Sequence, residues 1–433
     1  MNAALILALN YFGERLPCAY RHCGLLAALF VPIFIGTATA ADDPASSSPK
    51  FDAATAAMQR YVDEDKVAGS VLIIVKNGET LLLKAVGMQD RAAGTAMETD
   101  SLFRIASQSK AITTTAAMML VERGKIALSD PVSKYIPSFK NTLVAVKGED
   151  SSYTTVPAKR EITVHDLMSH TSGISYGWDF TKEAWEKAGL FGWYYADKDM
   201  TIQEALLPLS GLPMANQPGE KWQYGHSTDL LGAVIEVASR KSLKDFFHSN
   251  ITGPLGMDDT FFYVPDAKMD RLAKVYGIRD GKAVLAPTEG TMATQGHYAT
   301  GPRKAYSGGA GLVSTAADYS RFLTMLAAGG SLDGKQYLKP ETIRQMISDQ
   351  LGELDFAEGF RFGYGFWLKQ DDTGETLRYG WGGAYHSNYT VSPKSGLVVV
   401  YLTQLIPANG VKDWEEIEAA IDQALQLTNQ APS

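Results

Sequence analysis

Apolar residues recur along this chain with two periods, and their order predicts its architecture. Gly69-Ser70-Val71-Leu72-Ile73-Ile74-Val75 and Thr80-Leu81-Leu82-Leu83-Lys84-Ala85-Val86-Gly87 are runs of strand length joined by Lys76-Asn77-Gly78. Asn-Gly between such runs signals a hairpin, because both residues tolerate the positive φ of a tight turn. Helical spacing covers 51–63, ahead of the hairpin. The stretch 111–121 is small and apolar throughout, the pattern of a helix buried on every side, and Gly124 supplies its stop. Helix and loop patterns dominate 124–300, including a helix over 230–239. Strand-like runs return at 362–368, 385–391 and 397–403, and a helical period covers 413–427. These elements predict an α+β fold: early and late strands in one antiparallel sheet, with the first and last helices on one face. The sheet subdomain takes 51–123 plus 305–430, and 124–304 is a helical insertion.

Residues 1–40 break the pattern. Arg15, Arg21 and His22 precede an apolar stretch over 25–35, and Ala38-Thr39-Ala40 stands before Ala41-Asp42-Asp43. These are the parts of a secretory signal peptide, with cleavage expected after Ala40 and a periplasmic or secreted product. The stretch is short for a membrane span and contains Pro32, so no stable span is expected after cleavage. Residues 41–50, with Pro, Ser and Asp, read as a flexible tether. Cys18 and Cys23 both lie in the leader, so the mature chain has neither a disulfide nor a thiol nucleophile.

Of 433 residues, 45% are hydrophobic and 20% charged, enough for a large core. The net charge of -8 is spread without basic blocks, which excludes an ordinary nucleic-acid surface. Six histidines follow the leader (His165, His170, His226, His248, His297 and His386) without metal-ligand spacing. Neither a metal nor another cofactor is expected.

Candidate chemistry centres on Ser107-Gln108-Ser109-Lys110. If a helix begins near Ser107, positions i and i+3 share a face, and the Lys110 amine stands within reach of the serine proton. The N-H groups and positive dipole end of that helix can stabilise an oxyanion. Ser-x-x-Lys also matches Ser47-Ser48-Pro49-Lys50 in the tether, and a serine here could simply cap the helix, so the motif depends on context. Tyr224, in the loop before the 230–239 helix, is a candidate proton relay or an aromatic plug. Gly380-Trp381-Gly382-Gly383-Ala384 lets a strand approach a ligand, or forms a bulge on an edge strand. Ser307-Gly308-Gly309 is a glycine-rich loop running into a capped helix, or a tight turn. The aromatic stretch from Tyr176 and Trp178 through Trp185 to Trp193, Tyr194 and Tyr195 either lines an acyl pocket or packs the insertion.

Together with Ile162-Thr163-Val164-His165-Asp166-Leu167-Met168-Ser169-His170-Thr171-Ser172-Gly173 and Pro254-Leu255-Gly256-Met257, these segments resemble the serine hydrolases of the β-lactamase and penicillin-binding-protein fold. The similarity covers 51–425 in the family's order. It lies in the branch of class C β-lactamases, D-aminopeptidases and family VIII carboxylesterases. The resemblance implies a β-lactamase/DD-peptidase-like domain over 51–430. It makes Ser107 the acyl-accepting nucleophile, Lys110 its proton acceptor or electrostatic partner, and Tyr224 the second acid/base. It further implies an oxyanion hole from the backbone N-H groups of Ser107 and Ala384.

Two departures bear on substrate. Tyr224-Gly225-His226 replaces Tyr-x-Asn, removing the amide that holds an acylamino side chain. Trp381-Gly382-Gly383 replaces Lys-Thr-Gly, putting an indole where a cation holds the antibiotic carboxylate. Lys394-Ser395-Gly396 follows Pro393 at a turn and is read as a decoy. The resemblance therefore implies a secreted carboxylesterase for small neutral esters, with Trp381, Gly382, Gly383 and His226 at the substrate pocket. Alternatives are a β-lactamase, a D-amino-acid peptidase or amidase, and a non-catalytic binding protein. Gly225-His226-Ser227-Thr228-Asp229 lies one residue from the Gly-x-Ser-x-Gly elbow, but polar residues precede it where that elbow needs a buried strand.

Overall fold

A computed structural model describes residues 48–149 and 152–426, so the expected signal peptide and most of the expected tether lie outside the described residues. The first helix, α1 (Asp52–Asp63), leads into the hairpin β1 (Gly69–Lys76) and β2 (Glu79–Asp90), followed by the short β3 (Thr95–Ala96). Helix α2 (Ser109–Glu122) follows, and Gly124 ends it with a φ of 63°. Helices α3 (Ser227–Ser239) and α4 (Ala316–Ala327) come next. Strands β4 (Arg361–Phe362), β5 (Trp367–Gln370), β6 (Thr376–Gly382), β7 (Asn388–Ser392) and β8 (Leu397–Thr403) and helix α5 (Asp413–Leu425) complete the chain. One eight-stranded antiparallel sheet results, in the order β4-β5-β6-β7-β8-β1-β2-β3.

Strands far apart in sequence meet at the middle of this sheet, where Ile73 of β1 pairs with Val400 of β8. Leu72, Ile74, Leu397 and Val399 pack outward against Ala54 and Met58 of α1 and Trp414, Ile417 and Ile421 of α5. Val71, Ile73, Val398 and Val400 face inward with Tyr319, Phe322 and Leu323 of α4. Burial on both faces is why β1 reads as a continuous apolar run rather than an alternating one.

The expected run 362–368 is broken between β4 and β5, and 385–391 begins late because 383–387 is a turn. The glycine-containing segment is no edge bulge: β6 pairs with β5 on one side and β7 on the other. Among the described residues the insertion carries two hairpins besides its helices, Leu143–Lys147 with Tyr153–Pro157 and Tyr276–Arg279 with Lys282–Leu285. The second turns on Asp280-Gly281, both at positive φ, a short-range signal present in the sequence.

Candidate active site

The site forms where α2 begins. Phe103 and Arg104 pair with Ser314 and Val313, and the chain then turns through a single 3-10 turn, Ala106–Gln108, into α2. Ala106 has a φ of 41°, rare for a residue with a side chain, and such a backbone is held only by surrounding structure. The hold here is explicit. Ile105 N donates to Leu312 O at 3.0 Å, Tyr319 OH donates to Gln108 O at 2.8 Å, and Leu312 N donates to Ser109 Oγ at 3.0 Å. Within 101–120 every residue but Ser107 is buried. The strained turn leaves Ser107 the one partly exposed residue of an otherwise buried segment.

Lys110 is 1% exposed, and its Nζ lies 3.3 Å from Ser107 Oγ, 3.2 Å from Tyr176 OH and 2.8 Å from Gly309 O. All three partners are uncharged oxygens. An ammonium there donates to all three, whereas an amine donates to two and accepts from a hydroxyl, Ser107 or Tyr176. The group can therefore exchange a proton with the serine without losing its position.

Tyr224 also borders the amine, but through its ring: Lys110 Nζ stands 4.6 Å from the ring centroid. Its hydroxyl accepts from Trp381 Nε1 at 3.3 Å. The phenol hydrogen-bonded to the lysine is Tyr176, which the sequence placed only among pocket or packing aromatics. Burial, with Tyr224, Asp229 and Tyr195 nearby, pushes the Tyr176 phenol well above its ordinary value, so it keeps its proton. The two rings meet edge to face, with centroids 5.5 Å apart.

His226 is not placed as a pocket-lining residue would be. It is fully buried, with Nδ1 2.7 Å from Tyr195 OH, Nε2 3.0 Å from Leu190 O, and its ring stacked on Trp185. One turn further along α3, Asp229 Oδ1 accepts from Ser307 Oγ at 2.5 Å and from Gly309 N at 3.0 Å. A Cβ on Gly309 would collide with that carboxylate, so the glycine allows the close approach. The 307–309 loop thus hangs on Asp229 and turns the Gly309 carbonyl to Lys110. Sequence reading missed Asp229; its signal was a carboxylate opening an otherwise apolar helix.

The 382–384 segment crosses beside the serine turn. A Cβ on Gly383 would lie 2.5 Å from Ile105 O, so only glycine permits this contact. Ala384 is half-buried, and among the described residues no acceptor takes its N-H. Trp381 is 4% exposed and packs on Tyr224 and Phe362. Of the aromatic stretch, Trp185, Trp193, Tyr194 and Tyr195 are buried, whereas Trp178 is half-buried beside Tyr176 at 5.0 Å. The competing serine, Ser227, is buried at the start of α3 and bonded to Ser172 Oγ at 2.8 Å. Lys394 sits exposed in the turn between β7 and β8. Among the described residues no cluster of three His, Cys, Asp or Glu side chains could hold a metal, and no helix is long and apolar enough to cross a membrane.

A family model described as Beta-lactamase matches residues 54–421. Esterase EstB of Burkholderia gladioli is 31% identical over 388 residues, covering 83% of this chain and 91% of that protein. Protein Rv1367c of Mycobacterium tuberculosis is 31% identical over 377 residues, covering 82% and 90%. The solved structure of EstCE1, described as a hydrolase with promiscuous acyltransferase activity, superposes with a TM-score of 0.71 at 25% identity, covering 86% of this chain and 98% of that one.

Proposed function

This chain belongs to the β-lactamase family of serine hydrolases, and from that premise we propose that it hydrolyses small neutral carboxylic esters through an acyl-enzyme on Ser107. The observation that carries the reading is the Lys110 amine held 3.3 Å from Ser107 Oγ by neutral oxygens. Ser107 Oγ attacks the ester carbonyl while its proton passes into the group formed by Lys110, Tyr176 and Tyr224. The Ser107 and Ala384 N-H groups receive the oxyanion. Collapse expels the alcohol, which takes that proton, and water then repeats the sequence to release the acid. The indole of Trp381, in place of a cation, favours neutral acyl groups over carboxylate-bearing lactams. The esterase among the relatives supports the same class.

Acyl transfer to an alcohol is a second reading. It is supported by the acyltransferase activity named for EstCE1 and requires only that an alcohol replace the attacking water. The leader over residues 1–40 supports export, which N-terminal sequencing of the protein from culture fluid or periplasm tests.

Initial rates of wild type and Ser107→Ala on p-nitrophenyl esters of increasing chain length and on a chromogenic cephalosporin test the main proposal. Fast, Ser107-dependent turnover of short esters with little cephalosporin turnover is expected. Preferred cephalosporin turnover overturns it.

A further inference from the structure

The turn that carries Ala384 is tied to α5 by an ion pair between a half-buried histidine, His386, and a buried carboxylate, Asp413. Between β6 and β7, Gly383 N donates to Ser387 O at 2.7 Å and His386 N donates to Gly383 O at 3.0 Å. His386 has a φ of 64°, a left-handed backbone that a side chain adopts only at a cost. That conformation sends the imidazole to Asp413, the first residue of α5, with Nε2 2.6 Å from Oδ1. The Asp413 carboxylate is fully buried, takes the Tyr401 hydroxyl on Oδ2 at 2.5 Å and caps the Trp414 N-H at 2.8 Å. One carboxylate therefore joins the oxyanion turn, β8 and α5. Nothing in the chemistry of Ser107 requires these groups, which lie on the sheet side of the turn.

We propose that the His386–Asp413 pair is a positioning clamp that sets the Ala384 N-H for the oxyanion, so that turnover depends on the charge of His386. The inference rests on the assignment of Ala384 to the oxyanion hole. The clamp works because the tie from the His386 side chain to Asp413 fixes the turn against α5, and without it the turn is free to move whichever residue fills the left-handed position. The imidazolium held by a carboxylate is that tie. The titratable groups facing the pair are Asp413 and Glu415 of α5 and Tyr401 of β8, with Tyr61 of α1 behind Tyr401. Burial alone would lower the imidazole's affinity for its proton, but Asp413, by charge and hydrogen bond, and Glu415 raise it above the ordinary histidine value. The raised value sets the sign: the hold is complete below about pH 6.5 and is lost as pH rises through the folded-state value.

The test uses the full mature chain with His386→Asn, which tolerates the left-handed backbone, His386→Gly, which adopts it freely, and Asp413→Asn. For each, kcat and KM on p-nitrophenyl butyrate are measured between about pH 6 and pH 9, with Tm alongside. All three variants are expected to lose roughly tenfold in kcat with KM within about twofold. The fall in wild-type kcat toward alkaline pH is expected to flatten in both His386 variants. Wild-type kcat without an alkaline fall, or variants that lower Tm while keeping wild-type kcat and pH profile, overturn the clamp. If wild type itself turns over no ester, the functional reading fails instead, an outcome that Ser107→Ala run in parallel distinguishes.

Discussion

Lys110 touches Ser107, Tyr176 and Gly309, and each contact makes a separate claim about the reaction. Ser107→Ala removes the proposed nucleophile and is expected to lower kcat on p-nitrophenyl butyrate by at least about 10³-fold with the fold intact, as circular dichroism would show. Tyr176→Phe keeps the ring packing and deletes only the hydroxyl bonded to Lys110. It is expected to lower kcat by about 10- to 100-fold with little change in KM. Tyr224→Phe leaves the Trp381 N-H without its acceptor, so a loss of similar or larger size is expected. If Tyr176→Phe is as active as wild type, proton transfer runs through Tyr224 and Lys110 alone, and Tyr176 only packs. Ser107 and Lys110 were legible because two residues three positions apart, on one helix face, are a local relation. Tyr176 was not, because its meeting with Lys110 joins positions 66 residues apart.

At the scale of elements, two loops aim backbone groups at the site, and each depends on a close approach that one atom would spoil. Gly383→Ala places a Cβ against Ile105 O and Ser387 Oγ, at 2.5 and 2.7 Å. The segment must shift away from the serine turn, and kcat is expected to fall on the order of 100-fold, more than any rise in KM. Asp229→Ala leaves the Ser307 hydroxyl proton and the Gly309 N-H without an acceptor in a buried site. It is expected to cost about 1–3 kcal/mol in urea unfolding and to lower kcat as the Gly309 carbonyl loses its aim. Loss of stability with unchanged kcat would make Asp229 a purely structural anchor. The glycines of 380–384 could be read from the sequence as permission for close approach, those of 307–309 only as a glycine-rich loop or tight turn. What they approach, a carbonyl in one case and a carboxylate in the other, could not, since both partners come from distant segments.

For the whole molecule, the buried acids divide into two groups that set a pH of greatest stability. Burial pushes Asp318 up to about 6, against the Asp259 N-H and Thr260 hydroxyl, and Glu418 up to about 7 despite Arg378. A carboxyl raised in the folded state binds more protons folded than unfolded, so both groups stabilise the fold as pH falls below about 7. His386, raised as well, works in the same direction. Asp166 and Asp413 are held low: burial opposes this, but Arg160 and Thr163 in one case, and His386 and Tyr401 in the other, outweigh it. Their contribution is lost as pH falls below the ordinary carboxylate range, about 4. Tm is therefore expected to rise as pH drops from about 7 to about 5 and to fall below about 4. Calorimetric scans across that range check it. A Tm that climbs steadily to pH 8 would contradict the assignment for Asp318 and Glu418.

The sequence by itself determined the hairpin β1-β2, the buried helix after Ser107, the late strand 397–403, the terminal helix and the family. Each is written in a local period, a turn dipeptide or an ordered set of short motifs. It also pointed to Ser107, Lys110, Tyr224 and Trp381 as one constellation, through the resemblance that those motifs carry. Tertiary structure decided the rest. It set His226 into the core rather than the pocket, because Tyr195 and Leu190 occupy both ring nitrogens. It put Tyr176 on the lysine, Asp229 behind the glycine loop and Asp413 against His386 in the turn that carries Ala384. Those contacts are made between residues that no sequence period relates, by side chains whose polar groups find partners only when the chain has closed on itself.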